Sequence, residues 1–232
     1  LLKMKKIFSL LAIVALFNSC QQDIQTNTPA FQAKLNDVQW RANEARVSVD
    51  GDGGMTITAY TAYETVVLKT NAMNVGTYLL GTQDYLGNHA SYSFDANDFA
   101  DFYDTSVVEG PAYKLSGMLT AGTGYTNLPG AQTTGGSGTG LKVALTTLSG
   151  TITKLTVVAR GEGYVAGDVV TIVGGNNNAT VRIENVQQSN GEVTIEEVSN
   201  GLFTGTFKLN AVNSEGDVVT FSEGHFYKVP LQ

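Results

Sequence analysis

The sequence predicts an all-β protein: an antiparallel β-sandwich or partly open barrel with a small Gly-rich β-repeat insertion. Three observations predict it. Short apolar–polar alternations of period two recur along the chain, as in strands with one buried face. Glycine is abundant, 26 of 232 residues, and gathers with Asn, Asp and Ser between the alternations, where turns need it. No segment in the first half of the body shows a capped 3.6-residue apolar period.

The chain opens differently. Lys5-Lys6 lead into an uncharged, mostly apolar run from Ile7 to Phe17, followed by Cys20, the one cysteine of the sequence. That run is shorter than the roughly 20 apolar residues that span a bilayer, and it reads as the core of a secretory signal peptide over residues 1–19. A lone thiol in an exported chain has no internal disulfide partner. Leu16-Phe17-Asn18-Ser19-Cys20 resembles a bacterial lipoprotein signal, which implies lipid on Cys20 and a membrane anchor made of acyl chains. The alternative is a cleaved, soluble signal. Residues 20–30 are polar and aperiodic, a lipidated tether. Gln21 directly after the cysteine favours the outer membrane, with the periplasmic or surface face left open.

The body begins at Phe31. Phe31, Ala33 and Leu35 alternate with polar residues, Asn36-Asp37 makes a turn, and Val38, Trp40 and Ala42 resume the pattern. This predicts a hairpin whose inner face carries Phe31, Leu35, Val38 and Trp40. Asp50-Gly-Asp-Gly-Gly54 joins strands Ala45–Val49 and Met55–Tyr63 as a glycine turn, since it lacks the closing Glu of a calcium loop. Thr65–Thr70, Gly76–Gly81 and His89–Phe94 supply three more strands. Near the end, Gly201–Asn210, Asp217–Ser222 and His225–Val229 close the sheet, with Phe203, Phe207 and Phe226 as core residues.

These residues carry a resemblance. Phe31-x-Ala-x-Leu-Asn-Asp-Val-x-Trp-x-Ala, the strand Gly76-Thr77-Tyr78, the stretch Tyr92 to Phe94, and Phe203-Thr-Gly205-Thr-Phe207 are similar to a family of Bacteroidota outer-membrane lipoproteins of unknown function. The resemblance implies a fold and an address, and no chemistry. It covers a discontinuous host domain, 31–110 and 191–232, around an inserted module at 111–190.

That module is an internal repeat. Gly122-Thr-Gly-Tyr125 matches Gly161-Glu-Gly-Tyr164, and Gly135-Gly136 matches Gly174-Gly175, each offset by 39 residues. A shared order at a fixed period is a stronger signal than a single motif. The copies, about 122–160 and 161–200, resemble the Gly-x-Gly-Tyr repeats of phage tail and baseplate proteins. In those, the tyrosine packs against short strands.

Function classes follow by inventory. The net charge is −7, and it falls further once Lys3, Lys5 and Lys6 leave with the signal, which argues against nucleic acid as a partner. Asp95, Asp98, Asp101 and Asp104 recur every third residue and are candidate metal ligands, though such a charge run more often marks a solvated, single-turn helical connection. His89 and His225 form no zinc-type pair, and no nucleophile elbow is present. The expectation is therefore a non-enzyme with no catalytic residues and no cofactor. It would be a lipid-anchored cell-envelope protein that binds a partner protein or plays a structural part. The alternative is a surface glycan-binding module with Tyr125, Tyr164, Phe99 and Tyr103 as candidate ligand platforms. A hydrolase ranks below both.

Overall fold

The structure, a computed structural model, describes residues 30–82, 87–96, 99–106 and 108–232. The expected signal peptide, Cys20 and Asp98 lie outside the described residues. Every regular element among the described residues is a strand, in two antiparallel sheets, one a half-barrel and the other a nearly closed barrel. No helix among the described residues is long and apolar enough to cross a membrane.

Eight strands come first: β1 (Ala30–Leu35), β2 (Val38–Arg41), β3 (Glu44–Val49), β4 (Met55–Tyr60), β5 (Glu64–Thr70), β6 (Gly76–Leu80), β7 (His89–Ala96) and β8 (Phe99–Asp104). Then come β9 (Ala112–Thr120), β10 (Leu128–Thr134), β11 (Thr139–Leu148), β12 (Thr151–Glu162), β13 (Val169–Ile172) and β14 (Ala179–Val186). Last are β15 (Asn190–Ser199), β16 (Leu202–Val212) and β17 (Val218–Pro230). The 11-stranded sheet takes the first eight and the last three, in the order β2-β1-β17-β16-β8-β7-β5-β4-β3, with β15 and β6 branching from β16. The six-stranded sheet takes the middle group, in the order β12-β11-β10-β13-β14-β9.

The opening hairpin forms as the alternation predicts. Asn36 and Asp37 both take positive φ, 47° and 66°, the primed geometry that suits two-residue hairpin loops. Phe31, Ala33 and Trp40 are buried. Val38 is not an inner residue: it stays 69% exposed. It shares a face with Trp40 but sits at the turn end of an edge strand, past the margin of the core. Behind the hairpin lies an aromatic cluster in which Phe31 meets Phe207 at 4.7 Å and Trp40 meets Phe221 edge-on at 5.9 Å. Phe203, Phe207 and Phe226 are all buried. Two of the expected closing strands are one continuous strand, β17, with Glu223 at φ 50° marking an irregularity in its ladders.

The stretch from Asp95 to Asp104 is the larger departure. Its described residues form not a helical connection but the end of β7 and all of β8, paired from Ala96↔Phe99 to Ser91↔Asp104. The cause is visible in the same residues. Phe99, Asp101 and Tyr103 alternate with Ala100, Phe102 and Asp104, so period two is available and the ladder with β7 takes it.

The 39-residue repeat becomes an approximate two-fold axis. Thr133 pairs with Ile172 across the β10–β13 ladder, and these are equivalent positions of the two copies. The halves β12-β11-β10 and β13-β14-β9 therefore mirror each other about that ladder. Each half borrows its key from the other. The Tyr125 hydroxyl donates to Ile172 O at 2.9 Å and accepts from Ala179 N at 3.1 Å. Tyr164 in turn accepts from Leu141 N at 3.3 Å. Gly175 and Gly138 are glycines for this reason. A Cβ at Gly175, which sits at φ +48°, would lie 2.8 Å from the Tyr125 ring, and one at Gly138 would lie 2.5 Å from Tyr164 Cγ. Turn and ring fit only because the side chain is missing.

Candidate functional site

The chain crosses between its sheets twice, after β8 and between β14 and β15, and the crossings touch. Gln187 N donates to Pro111 O at 2.9 Å. Asn185 Nδ2 reaches Leu80 O at 3.4 Å, tying β14 to β6. Thr105, fully buried at the first crossing, accepts from Ala90 N through its hydroxyl at 2.8 Å. Beside this junction lies a cleft of about 330 Å³ whose polar lining includes Lys114, Asn185, Asn190, Glu192, Lys208 and Asn210.

Three amides dominate it. Asn190 is buried and fixed, its Nδ2 donating to Val186 O at 3.1 Å and also to Gln187 O, while its Oδ1 accepts from Asn210 at 3.5 Å. Asn210 Oδ1 accepts from Thr220 Oγ1 at 2.8 Å. Asn185 is only 2% exposed, yet its Oδ1 has no hydrogen-bond partner in the protein. Gln188 Oε1 and Ser189 Oγ, on the same crossing, are likewise buried and unpartnered. A buried acceptor left unpaired costs about 1–3 kcal/mol, so each of these groups calls for a polar partner from outside the protein, water or ligand. The charged residues differ in role. Lys208 and Glu192 neutralise each other at 3.0 Å. Lys114 is exposed and makes no ion pair among the described residues. The cleft can thus offer amide donors and acceptors around one free cation.

None of these residues was singled out from the sequence, although one signal was present. Ala179, Val181 and Ile183 face inward on β14, and period two puts Asn185 in the next inward position. A polar residue in a core register is the mark of a group kept for a purpose or satisfied by a partner.

The residues the sequence did single out lie elsewhere. Tyr125 and Tyr164 are 3% and 1% exposed, so neither ring is open as a stacking platform. Phe99 is 62% exposed at the start of β8, its ring 6.0 Å from that of Phe94. Tyr103 is half-buried against Tyr92 at 5.9 Å. Its hydroxyl, hydrogen-bonded to the Asp101 carboxylate, is pushed up to about 12. The same bond, with help from Asn213 and the Phe102 amide, holds the Asp101 carboxyl below its usual range. Asp101 and Asp104, three apart on a strand, face opposite sides of the sheet. Asp95 pairs with Ala100 near the hairpin tip. Among the described residues no group of three His, Cys, Asp or Glu is placed to hold a metal ion.

Residues 27–139 and 143–230 match a family described as a domain of unknown function, DUF6252. No curated protein and no solved structure matches the chain.

Proposed function

The chain belongs to the DUF6252 family, and from that premise we propose a lipid-anchored cell-envelope protein whose β body is a non-catalytic binding module. Its site is the cleft between the sheets. The observation that carries this is the Asn185 carbonyl, buried at the cleft with no partner inside the protein. The ligand class is hydroxyl-rich, a saccharide unit being the simplest case. Hydroxyls donate and accept at once, as the amides of Asn185, Asn190 and Asn210 do. With Lys208 and Glu192 engaged with each other, the lining is close to neutral apart from Lys114. A glycan reading thus rests on these amides and not on the tyrosines of the repeat.

The anchor rests on the lone Cys20 behind its apolar leader. Metabolic labelling with an alkyne fatty acid is expected to mark the wild-type chain and to leave a Cys20→Ser variant blank. Equal labelling of both sinks the anchor. For the site, a glycan array is expected to show one saccharide class retained by the chain and lost on Asn210→Ala. Binding that survives this change, or an array without a hit, refutes the cleft reading.

A further inference from the structure

The six-stranded sheet does not close. Its edge strands, β9 and β12, are not paired with each other among the described residues, and hydrogen bonds near their ends tie them antiparallel. At one end Ile152 N donates to Ala121 O at 3.1 Å. At the other, Arg160 Nη1 donates to Ala112 O at 2.8 Å and Tyr113 O at 2.7 Å. Between these stitches a slot of about 410 Å³ opens. Its floor is Leu115, Met118, Leu155 and Val157, half-buried side chains packed on the core of this sheet. Leu155 and Val157 pair with the buried Leu145 and Val143, so the slot looks into the apolar interior.

Its rim has one sign of charge. Lys114 and Lys154 line it, and no Asp or Glu does. Both lysines are exposed, and neither makes an ion pair among the described residues. In a chain of net charge −7, a slot with two unpaired cations over an apolar floor is a local exception. We propose that the β9–β12 slot binds a free fatty acid, its carboxylate at Lys154 at one end and its tail along the four apolar side chains towards the end where Lys114 stands. The volume lies near the lower end of ligand pockets, which run about 300–1,000 Å³. It accommodates one unbranched tail and not the two of a phospholipid. The site is separate from the cleft between the sheets, although Tyr113 and Lys114 stand on the rim of both.

The test is calorimetric titration of the full chain with octanoate, decanoate and dodecanoate below their micellar concentrations. Saturable binding is expected, tightening about fourfold per added methylene as the tail enters. Lys154→Gln, at an exposed position that does not line the cleft, is expected to weaken dodecanoate by about two- to fivefold, the range of an exposed ion pair. Leu155→Asp is expected to abolish it, and the Lys154 variant keeps the test decisive if the Leu155 variant fails to fold. No saturable heat overturns the proposal. So does an affinity independent of tail length, equal binding of dodecyltrimethylammonium, or binding confined to phosphatidylglycerol vesicles.

Discussion

Replacing Tyr125 by Phe tests the reciprocal lock of the repeat. The ring stays, so packing is nearly unchanged, and only the hydroxyl is lost. That hydroxyl sits between an acceptor, Ile172 O, and a donor, Ala179 N, on residues that face each other across β13 and β14. Both residues are completely buried, so neither group can turn to water. Each unsatisfied group costs about 1–3 kcal/mol, which puts the variant about 2–6 kcal/mol below the wild type. The lower end applies if the two strands draw together. Tyr164→Phe removes a single, longer bond to Leu141 N at 3.3 Å and is expected to cost about 1 kcal/mol. Equilibrium urea denaturation followed by circular dichroism reads both, and amide exchange at Ala179 reports the local opening directly. A loss under about 0.5 kcal/mol for Tyr125→Phe, within the noise of a surface change, or a larger loss for Tyr164→Phe, refutes the reasoning.

Three further outcomes follow from the same structure. Gly138→Ala places a Cβ against the Glu162 carbonyl and the Tyr164 ring. Thermal unfolding should show a loss of about 1–3 kcal/mol, as for overpacking elsewhere, and a neutral result would mean the turn is looser than described. Val38→Asp, at a position 69% exposed, should shift stability by no more than about 0.5 kcal/mol; aggregation or unfolding of this variant would put Val38 back in the core. The third concerns alkaline pH. Tyr103 ionises near 12 in the fold against 10.0 when free, so the folded state holds its proton longer. Its contribution is complete below pH 10 and is lost as pH rises towards 12. Asp101 works with the opposite sign: its lowered value keeps its contribution at neutral pH and loses it on acidification through that value. Denaturation midpoints measured across pH should fall between 10 and 12, and Tyr103→Phe should flatten that fall; an unchanged slope contradicts the assignment.

Much of the fold was legible because strands announce themselves locally. The hairpin from Phe31 to Trp40, Val38 apart, and the Asp50–Gly54 turn appear in the structure at their expected places. The Asp95–Asp104 stretch misled because a three-residue charge spacing outshone the weaker period of two beneath it. The strand pairing, not the charges, decided its conformation. The tyrosines of the repeat misled for another reason. A Gly-x-Gly-Tyr sequence shows that a ring packs somewhere, but not that it packs under the other copy's turn, since that depends on an axis present only in three dimensions. The cleft was hidden for the same reason. It draws on Lys114, Asn185, Asn190 and Lys208 from four strands, and no local pattern joins them. The lone inward Asn185 was the one visible hint.

The most direct test of the account is the Asn185→Leu variant, assayed for both stability and saccharide binding. Leu has the branched shape of Asn with greater volume and leaves no side-chain acceptor unpaired, while giving up the long Asn185 Nδ2–Leu80 O bond. The account predicts an unfolding free energy within about 1 kcal/mol of the wild type, since removing the orphan acceptor offsets the lost bond to Leu80 O, together with loss of the saccharide retained on the array. A variant that is destabilised while binding survives would make Asn185 a structural amide, and would contradict the claim that the cleft between the sheets is where this protein holds its ligand.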